Sequence, residues 1–420
     1  MSRVQTAPGS LPQYLPGTRE LDDVELLRMG ALAPTQGFGE AERPVTLEVP
    51  AAVAMRAQEA GALELVDPEG VPLAVLILDR AEPVSDDVMS LIGPIRALPG
   101  IIRRPFSELY APPSETKASL DRAVLSVAVA APLTVSDLDD IRRRAGSAPV
   151  LFIVMAGIGT PVGVSAHGLI RATLVAAESF KESHVVVVPI AARRESEDDA
   201  EFRATVVAAY APGPEILWPA GVGELPNDIA VVVERDRPSG LDQGLVVFLT
   251  GLSGSGKSTL AEALRDHVLE NGIRTISLLD GDRVRRNLSA GLTFSPEDRE
   301  TNIERIGWVA AEISRHGGMV ICSPIAPFDR TRRRAREMAQ EVGSAFVLIH
   351  VATPLEECER RDRKGLYAKA RRGEIEQFTG ISSPYEVPGD ADLRIDTVGR
   401  SVGEVLTAIL DLLKSRGHLA

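Results

Sequence analysis

One lysine, a run of glycines and serines, and a pair of carboxylates are the groups in this chain best suited to handling phosphate. Between Gly251 and Ser258 the sequence spells G-x-x-x-x-G-K-S, the pattern of a phosphate-binding loop. Gly251, Gly254 and Gly256 let the backbone curl so that its N–H groups converge on phosphate oxygens. Lys257 would reach the terminal phosphates of a nucleotide, and the Ser258 hydroxyl is a hard oxygen ligand suited to Mg²⁺. Further on comes Asp280-Gly-Asp282. Two carboxylates beside such a loop can organise the water ligands of a metal or accept a proton from a substrate hydroxyl.

These groups work only if a strand and a helix hold them. The apolar run 245–249 predicts a buried strand feeding the loop. Leu260, Leu264 and Val268 then mark one face of a helix, which Asn271-Gly272 closes. Residues 275–279 predict the next strand, so the carboxylate pair falls at its carboxyl end, where parallel sheets bind ligands. Met319–Cys322, Ala345–Val351 and Leu393–Ile395 read as further strands, with helices over 356–361 and 402–413. The basic, glycine-bracketed stretch 364–373 has the make-up of a lid over phosphate.

Upstream, residues 1–20 carry Pro, Gly and Ser without a period and read as a loose arm. A short helix follows over 22–29, stopped by Gly30, then a strand over 45–49 and a hairpin over 63–78. Strand-like runs at 123–130, 150–155 and 184–189 alternate with helical patterns at 135–145 and 168–180, which implies a parallel sheet. The polar, Pro- and Gly-containing segment 234–244 reads as a domain boundary. The fold class expected is therefore α/β, in three domains: 1–85, small and β-rich; 86–236, a shortened α/β domain; and 243–420, with the phosphate loop and a parallel sheet.

The chain has 420 residues, 25% charged and 44% hydrophobic, with a net charge of −13. This is a folded, acidic protein, and the charge argues against a nucleic-acid partner. Only two cysteines occur, Cys322 and Cys358, which fits a reducing compartment. With no signal-like N-terminus and no unbroken apolar stretch of membrane length, a cytoplasmic protein without membrane association is expected. Gly157 to Gly163 is glycine-rich but lacks the lysine of a phosphate loop. His167 and His184 have no neighbouring carboxylate or cysteine in sequence and read as structural.

Around residues 20–80 the wording D-V-E-L-L-R-M-G-A-L-A-P-T-Q-G-F resembles the opening of ATP sulfurylases, whose first domain is small, β-rich and PUA-like. Active members of that family carry Q-x-R-N-x-x-H-x-x-H after the first strand of the next domain. Here that strand runs into Ala128-Val-Ala-Ala-Pro-Leu-Thr-Val135, and no H-x-x-H occurs anywhere. The resemblance therefore implies a degenerate sulfurylase-like region with a role in docking, dimerisation or regulation.

The C-terminal motifs GLSGSGKST, DGDxxR, FSPEDRxxNIxRI, SPIAPF, KGLYxKARxGEI, FTGI and SPYExP together resemble adenylyl-sulfate kinases. That family transfers the γ-phosphate of ATP to the 3′-hydroxyl of adenosine 5′-phosphosulfate, with Mg²⁺. The resemblance implies that Gly251, Ser253, Gly254, Ser255, Gly256, Lys257, Ser258 and Thr259 hold ATP. Lys257, Asp280 and Asp282 would be catalytic, with Ser258 and Asp280 on the metal. Arg285, Arg299 and Asn302 would grip the phosphosulfate and ribose. Phe294 and Phe378 would sandwich the substrate adenine, with Ile325 touching substrate through its backbone and Lys364 in the lid. A homo-oligomer, expected to be a dimer, is implied as well. Ala326 stands where some members carry a phosphorylatable serine, which argues against a covalent phosphoserine at that position. Three other functions compete: a phosphate-loop kinase for another small hydroxyl substrate, a bifunctional enzyme that also makes adenylyl sulfate, and a non-catalytic nucleotide-binding regulator.

Overall fold

Runs of β-branched and leucine residues separated by amphipathic helices produce two parallel sheets in this chain, preceded by a mixed one. The computed structural model describes residues 11–39, 44–99, 105–120, 123–193, 197–293, 295–362 and 365–420, without the side chains of 197, 198, 282, 283 and 285. The chain divides into two compact units, Met1–Asp236 and Arg237–Ala420.

The first unit opens with a seven-stranded sheet of β1 (Gln13–Tyr14), β2 (Gly37–Phe38), β3 (Glu48–Pro50), β4 (Ala62–Val66), β5 (Pro72–Ile77), β6 (Arg80–Pro83) and β7 (Val88–Ala97). The hairpin expected from residues 63–78 is present as the antiparallel pair β4 and β5. The long β7 pairs with β2, β3, β5 and β6. A four-stranded parallel sheet follows, in the order β10 (Ser183–Val188), β9 (Val150–Met155), β8 (Leu125–Val129), β11 (Ile216–Leu217). Asp23 of the first helix (Thr18–Arg28) is fully buried against Arg193, Oδ1 to Nη2 2.6 Å, and the Arg193 guanidinium lies 4.0 Å from the centre of the Phe202 ring. Burial pushes the Asp23 carboxyl above the usual carboxylate range, against the pull of Arg193. The helix Asn227–Asp236 closes the unit. It takes in the first residues of the stretch expected to be a linker, because Ile229, Val231, Val232 and Val233 continue a helical apolar pattern that the polar residues around them masked.

The second unit is a three-layer α/β/α arrangement. Its five strands are all parallel, in the order β13 (Ile276–Leu279), β14 (Met319–Cys322), β12 (Leu245–Thr250), β15 (Ala345–Val351), β16 (Leu393–Ile395). Strand alternation sends Leu245, Val247 and Leu249 to one face, against Leu260, Leu264 and Val268 of helix Lys257–Glu270 and Val405, Ile409 and Leu413 of helix Val402–Ser415. Val246 and Phe248 go to the other, against Ile303, Ile306 and Ala310 of helix Pro296–Ser314 and Ala335 and Ala339 of helix Asp329–Glu341. Burying each such leucine or isoleucine contributes about 1.5–3 kcal/mol, so β12 is pinned from both sides and the loop leaving it has a fixed origin. Among the described residues no helix is long and apolar enough to cross a membrane.

His350 on β15 is a buried group with a measurable consequence. It pairs with Thr250 and Arg394 on the neighbouring strands and stacks on Tyr385, ring centres 5.7 Å apart. Burial first, then the charges of Arg394 and Arg332, hold its pKa at about 4. The folded protein therefore keeps this imidazole neutral where the unfolded chain would protonate it near the ordinary value of 6.5. As pH falls from 6.5 towards 4 the unfolded state binds a proton that the native state refuses, and stability declines across that window. His350→Gln should flatten this part of the acid limb, read as urea midpoints at pH 7 and pH 5. His418 is shifted in the same direction and leaves a residual slope.

Candidate active site

The loop after β12 is shaped by three glycines at positive φ: Gly251 at 148°, Gly254 at 75° and Gly256 at 105°. At Gly251 the need is steric too, since a Cβ there would lie 2.4 Å from the Val351 carbonyl oxygen. Helix Lys257–Glu270 begins directly after Gly256, so its first backbone N–H groups and the positive end of its dipole face the loop's concavity. Lys257 is buried and folds back over the loop. Its Nζ donates to the carbonyls of Gly251 (2.8 Å) and Leu252 (2.7 Å), with Ser255 Oγ at 3.4 Å. Ser253, Ser255, Ser258 and Thr259 complete the same loop and first helical turn.

The carboxyl ends of β12, β13 and β14 converge on Asp280. Its Oδ1 accepts from Ser258 Oγ at 2.8 Å and from Ser323 Oγ at 2.9 Å. One carboxylate oxygen is thus fixed by a hydroxyl from the loop helix and another from the residue after β14. Ile325 lies just beyond, and its carbonyl accepts from Thr250 Oγ1 at 2.6 Å and from the Gly251 N–H at 3.4 Å. Because the Thr250 hydroxyl donates to Ile325, the Tyr385 hydroxyl, 3.0 Å away, must donate to Thr250. Burial raises the Tyr385 phenol pKa, which keeps it a donor.

Arg299 and Asn302 sit on the first turns of helix Pro296–Ser314. The run Ser295-Pro-Glu-Asp298 starts this helix for good reason. Ser295 Oγ accepts from the Asp298 N–H at 3.2 Å, proline fills a first-turn position, and two carboxylates meet the positive helix end. Arg299 reaches across to the Phe378-Thr-Gly380 segment, donating to Thr379 Oγ1 (3.0 Å), Ser383 Oγ (3.4 Å) and the Gln377 carbonyl. Asn302, one turn on, is buried with no partner for its Oδ1 among the described residues. Phe378 is only 9% exposed. Its ring meets Tyr367 edge-on at 5.0 Å rather than standing open to solvent. Next to it lies an open surface depression lined by Leu252, Gly380, Ile381, Ser383, Pro384 and Tyr385 among others.

The structure thus gathers the loop, Asp280, Ile325, Arg299, Asn302 and Phe378 at the carboxyl edge of one sheet. Phe294 and Lys364 lie outside the described residues, as do the side chains of Asp282 and Arg285. The stretch expected to be a lid contains a short helix, Leu366–Arg371. Several supporting residues had no role assigned from sequence. Ser323 is one, although a polar residue directly after a buried parallel strand is a usable signal. Arg361 is another. Its guanidinium holds Thr397 Oγ1 at 2.8 Å and Glu357 at 2.7 Å. Thr353 Oγ1 donates to the Ser255 carbonyl at 2.9 Å and Thr397 Oγ1 lies 3.2 Å from the same oxygen. These residues brace the loop from behind, and nothing in their spacing announces it.

A divalent cation would find hard oxygen donors in Ser258 and Asp280. No cluster of three or more His, Cys, Asp or Glu able to hold a metal occurs among the described residues. That donor set fits Mg²⁺, which is usually held by one or two carboxylates plus substrate phosphates and water.

Residues 243–396 match the family model described as adenylylsulphate kinase. A sulfate adenylyltransferase of Aspergillus terreus is 46% identical over 193 residues, which cover 46% of this chain and 34% of that protein. The chain thus spans about a third of the length of that curated relative. Among solved structures, a hexameric APS kinase from Thiobacillus denitrificans is 28% identical, covers 98% of this chain and 94% of its own, and superposes with a TM-score of 0.69. The Mycobacterium tuberculosis APS kinase CysC, solved in complex with AMPPNP and APS, is 44% identical over 41% of this chain and 98% of its own, TM-score 0.39. Through its second unit, the chain belongs to the adenylylsulphate kinase family.

Proposed function

We propose that this chain is an ATP-dependent adenylyl-sulfate kinase, transferring the γ-phosphate of ATP to the 3′-hydroxyl of adenosine 5′-phosphosulfate and releasing ADP. The observation that carries the reading is the contact of Ser258 and Ser323 with Asp280 beside Lys257. It puts a phosphate cradle, a cation, a carboxylate and two hydroxyls at one edge of one sheet. ATP phosphates enter the loop and draw Lys257 Nζ off the Gly251 and Leu252 carbonyls. Ser258 and Asp280 would hold Mg²⁺, whose charge would offset that of the phosphates. The acceptor hydroxyl is oriented by the Asp280-Gly-Asp282 pair, one carboxylate of which takes its proton as the new P–O bond forms and the bond to ADP breaks. Arg299, Asn302, Phe294, Phe378, Arg285 and Lys364 serve the sulfated nucleotide.

In this reading residues 243–420 are the kinase domain. Residues 1–85 and 86–236 are a PUA-like and a shortened nucleotidyltransferase-like domain that no longer transfer adenylyl groups. Support comes from the loop after β9. The Ile158 N–H is taken by Asp22 Oδ2 (2.8 Å), and the Ser165 N–H by Asp236 Oδ2 (2.6 Å). Carboxylates of the chain itself therefore stand where an anionic ligand would bind at the end of a parallel strand. We also infer a homo-oligomer of the cytoplasm with the dimer as its unit, since a solved relative that covers nearly the whole chain is described as hexameric and two-fold units are the commonest building blocks. Light scattering should give a multiple of the monomer mass.

The test is direct. The purified chain with ATP, Mg²⁺ and adenosine 5′-phosphosulfate should yield ADP and the 3′-phosphorylated product, and ATP with sulfate should release no pyrophosphate. Absence of the first product sinks the kinase reading, and pyrophosphate release would restore the bifunctional one. Within this reading Arg299→Ala should raise KM for the sulfated nucleotide about tenfold, the scale of one lost charged hydrogen bond. KM for ATP should move less than about twofold, as Arg299 donates to Thr379, Ser383 and Gln377 of the 377–383 segment.

A further inference from the structure

Tyr367 joins the two halves of the proposed site. Its hydroxyl donates to the carbonyl of Ser253, inside the phosphate loop, at 2.8 Å. Its ring meets Phe378, on the acceptor side, edge-to-face at 5.0 Å and 77°. The side chain is 2% exposed, in a small apolar cluster with Cys358, Ala370 and Phe378 packed on Leu252 of the same loop. The short helix carrying it is bracketed by Gly365 and Gly373, both left-handed at φ 65° and 75°, with nothing within 4 Å of an added Cβ. Such residues can absorb a change of backbone angle. Burial raises the Tyr367 phenol pKa, so it remains a donor at neutral pH.

We propose that Tyr367 is a positioning residue that couples the two nucleotide subsites, a role that rests on the kinase reading above. Phosphates entering the loop compete for Lys257 and shift the carbonyls at 252–253. The Tyr367 hydroxyl follows the Ser253 carbonyl and moves the wall formed by Phe378. Occupancy of the donor side is thereby felt on the acceptor side, and by linkage the reverse holds with the same factor.

The experiment is a four-way titration: the Kd of adenosine 5′-phosphosulfate with and without saturating ADP, and of ADP with and without adenosine 5′-phosphosulfate. The wild type should show one coupling factor in both directions, about fivefold or more. Tyr367→Phe keeps the ring and its packing and removes only the hydroxyl. Its coupling factor should fall to within about twofold of one while each ligand alone binds nearly as before, a pattern that general loosening would not give. Tyr367→Leu, which also removes the ring contact, should lose coupling as well, with folding checked by its urea midpoint. An uncoupled wild type, or a Tyr367→Phe protein as coupled as the wild type, overturns the proposal. A wild type that neither binds nor phosphorylates the sulfated nucleotide overturns the kinase reading instead.

Discussion

Asp280→Asn should lower turnover by about a hundredfold or more while leaving the affinity for ATP close to that of the wild type. The substitution is nearly isosteric. Its remaining carbonyl oxygen can still accept from Ser258 and Ser323, the two hydroxyls that now meet Asp280 Oδ1 at 2.8 and 2.9 Å, so the strand ends stay in place. What disappears is the negative charge, and with it the ability to hold a cation or to take a proton from the acceptor hydroxyl. In the kinase reading, ATP affinity comes mainly from the loop N–H groups and Lys257, which this change does not touch. Single-turnover rates and a separate ATP titration would distinguish the two effects. An unchanged rate would remove Asp280 from the chemistry and shift its duties to Asp282.

The sequence announced the loop, the strand that feeds it and the carboxylate pair because each depends on local spacing. A buried strand, three glycines and a lysine are legible wherever they fall within a dozen residues, and β14, β15 and β16 occur where their apolar runs placed them. The less visible features depend on contacts far apart in the chain. The strand β7, for which the sequence pattern offered no reading, runs through Gly93 and Pro94, two residues that strands disfavour. Gly93 is needed because a Cβ there would lie 2.0 Å from the Ile77 carbonyl, and Pro94 pairs with Gly37 of the two-residue β2. In the site, the family resemblance assigns Phe378 to one side of the substrate adenine. The structure packs it on Tyr367, and the reason is a tyrosine tied to the phosphate loop more than a hundred residues upstream. Thr353 and Thr397 were invisible for the same reason, since both meet the Ser255 carbonyl, and Arg361 acts only through its bond to Thr397. Ala326 shows the opposite case. A small residue excluded one kind of regulation from sequence alone, while its strained φ of 44° and the Arg332 guanidinium bonded to its carbonyl at 2.8 Å emerge only in three dimensions.

Lys257→Met should be the more damaging change, with turnover falling about a thousandfold. Methionine keeps the length and apolar stem of lysine, so packing in the buried position is largely preserved, but the ammonium is lost. Two consequences follow. The transferring phosphoryl group loses a fixed positive charge in a site partly screened from water, the kind of contribution worth about 10²–10³ in rate. The Gly251 and Leu252 carbonyls also lose the donor that holds the loop in shape before ATP arrives, which costs about 1–3 kcal/mol for a buried acceptor and should appear as weaker ATP binding and a lower melting temperature. Lys257→Arg separates the two. Its charge is kept, but a planar guanidinium cannot place one compact group on both carbonyls and a phosphate. Little recovery of turnover with partial recovery of stability would show that the position of the ammonium matters as well as its charge. Full recovery by arginine would mean that any cation at the loop suffices.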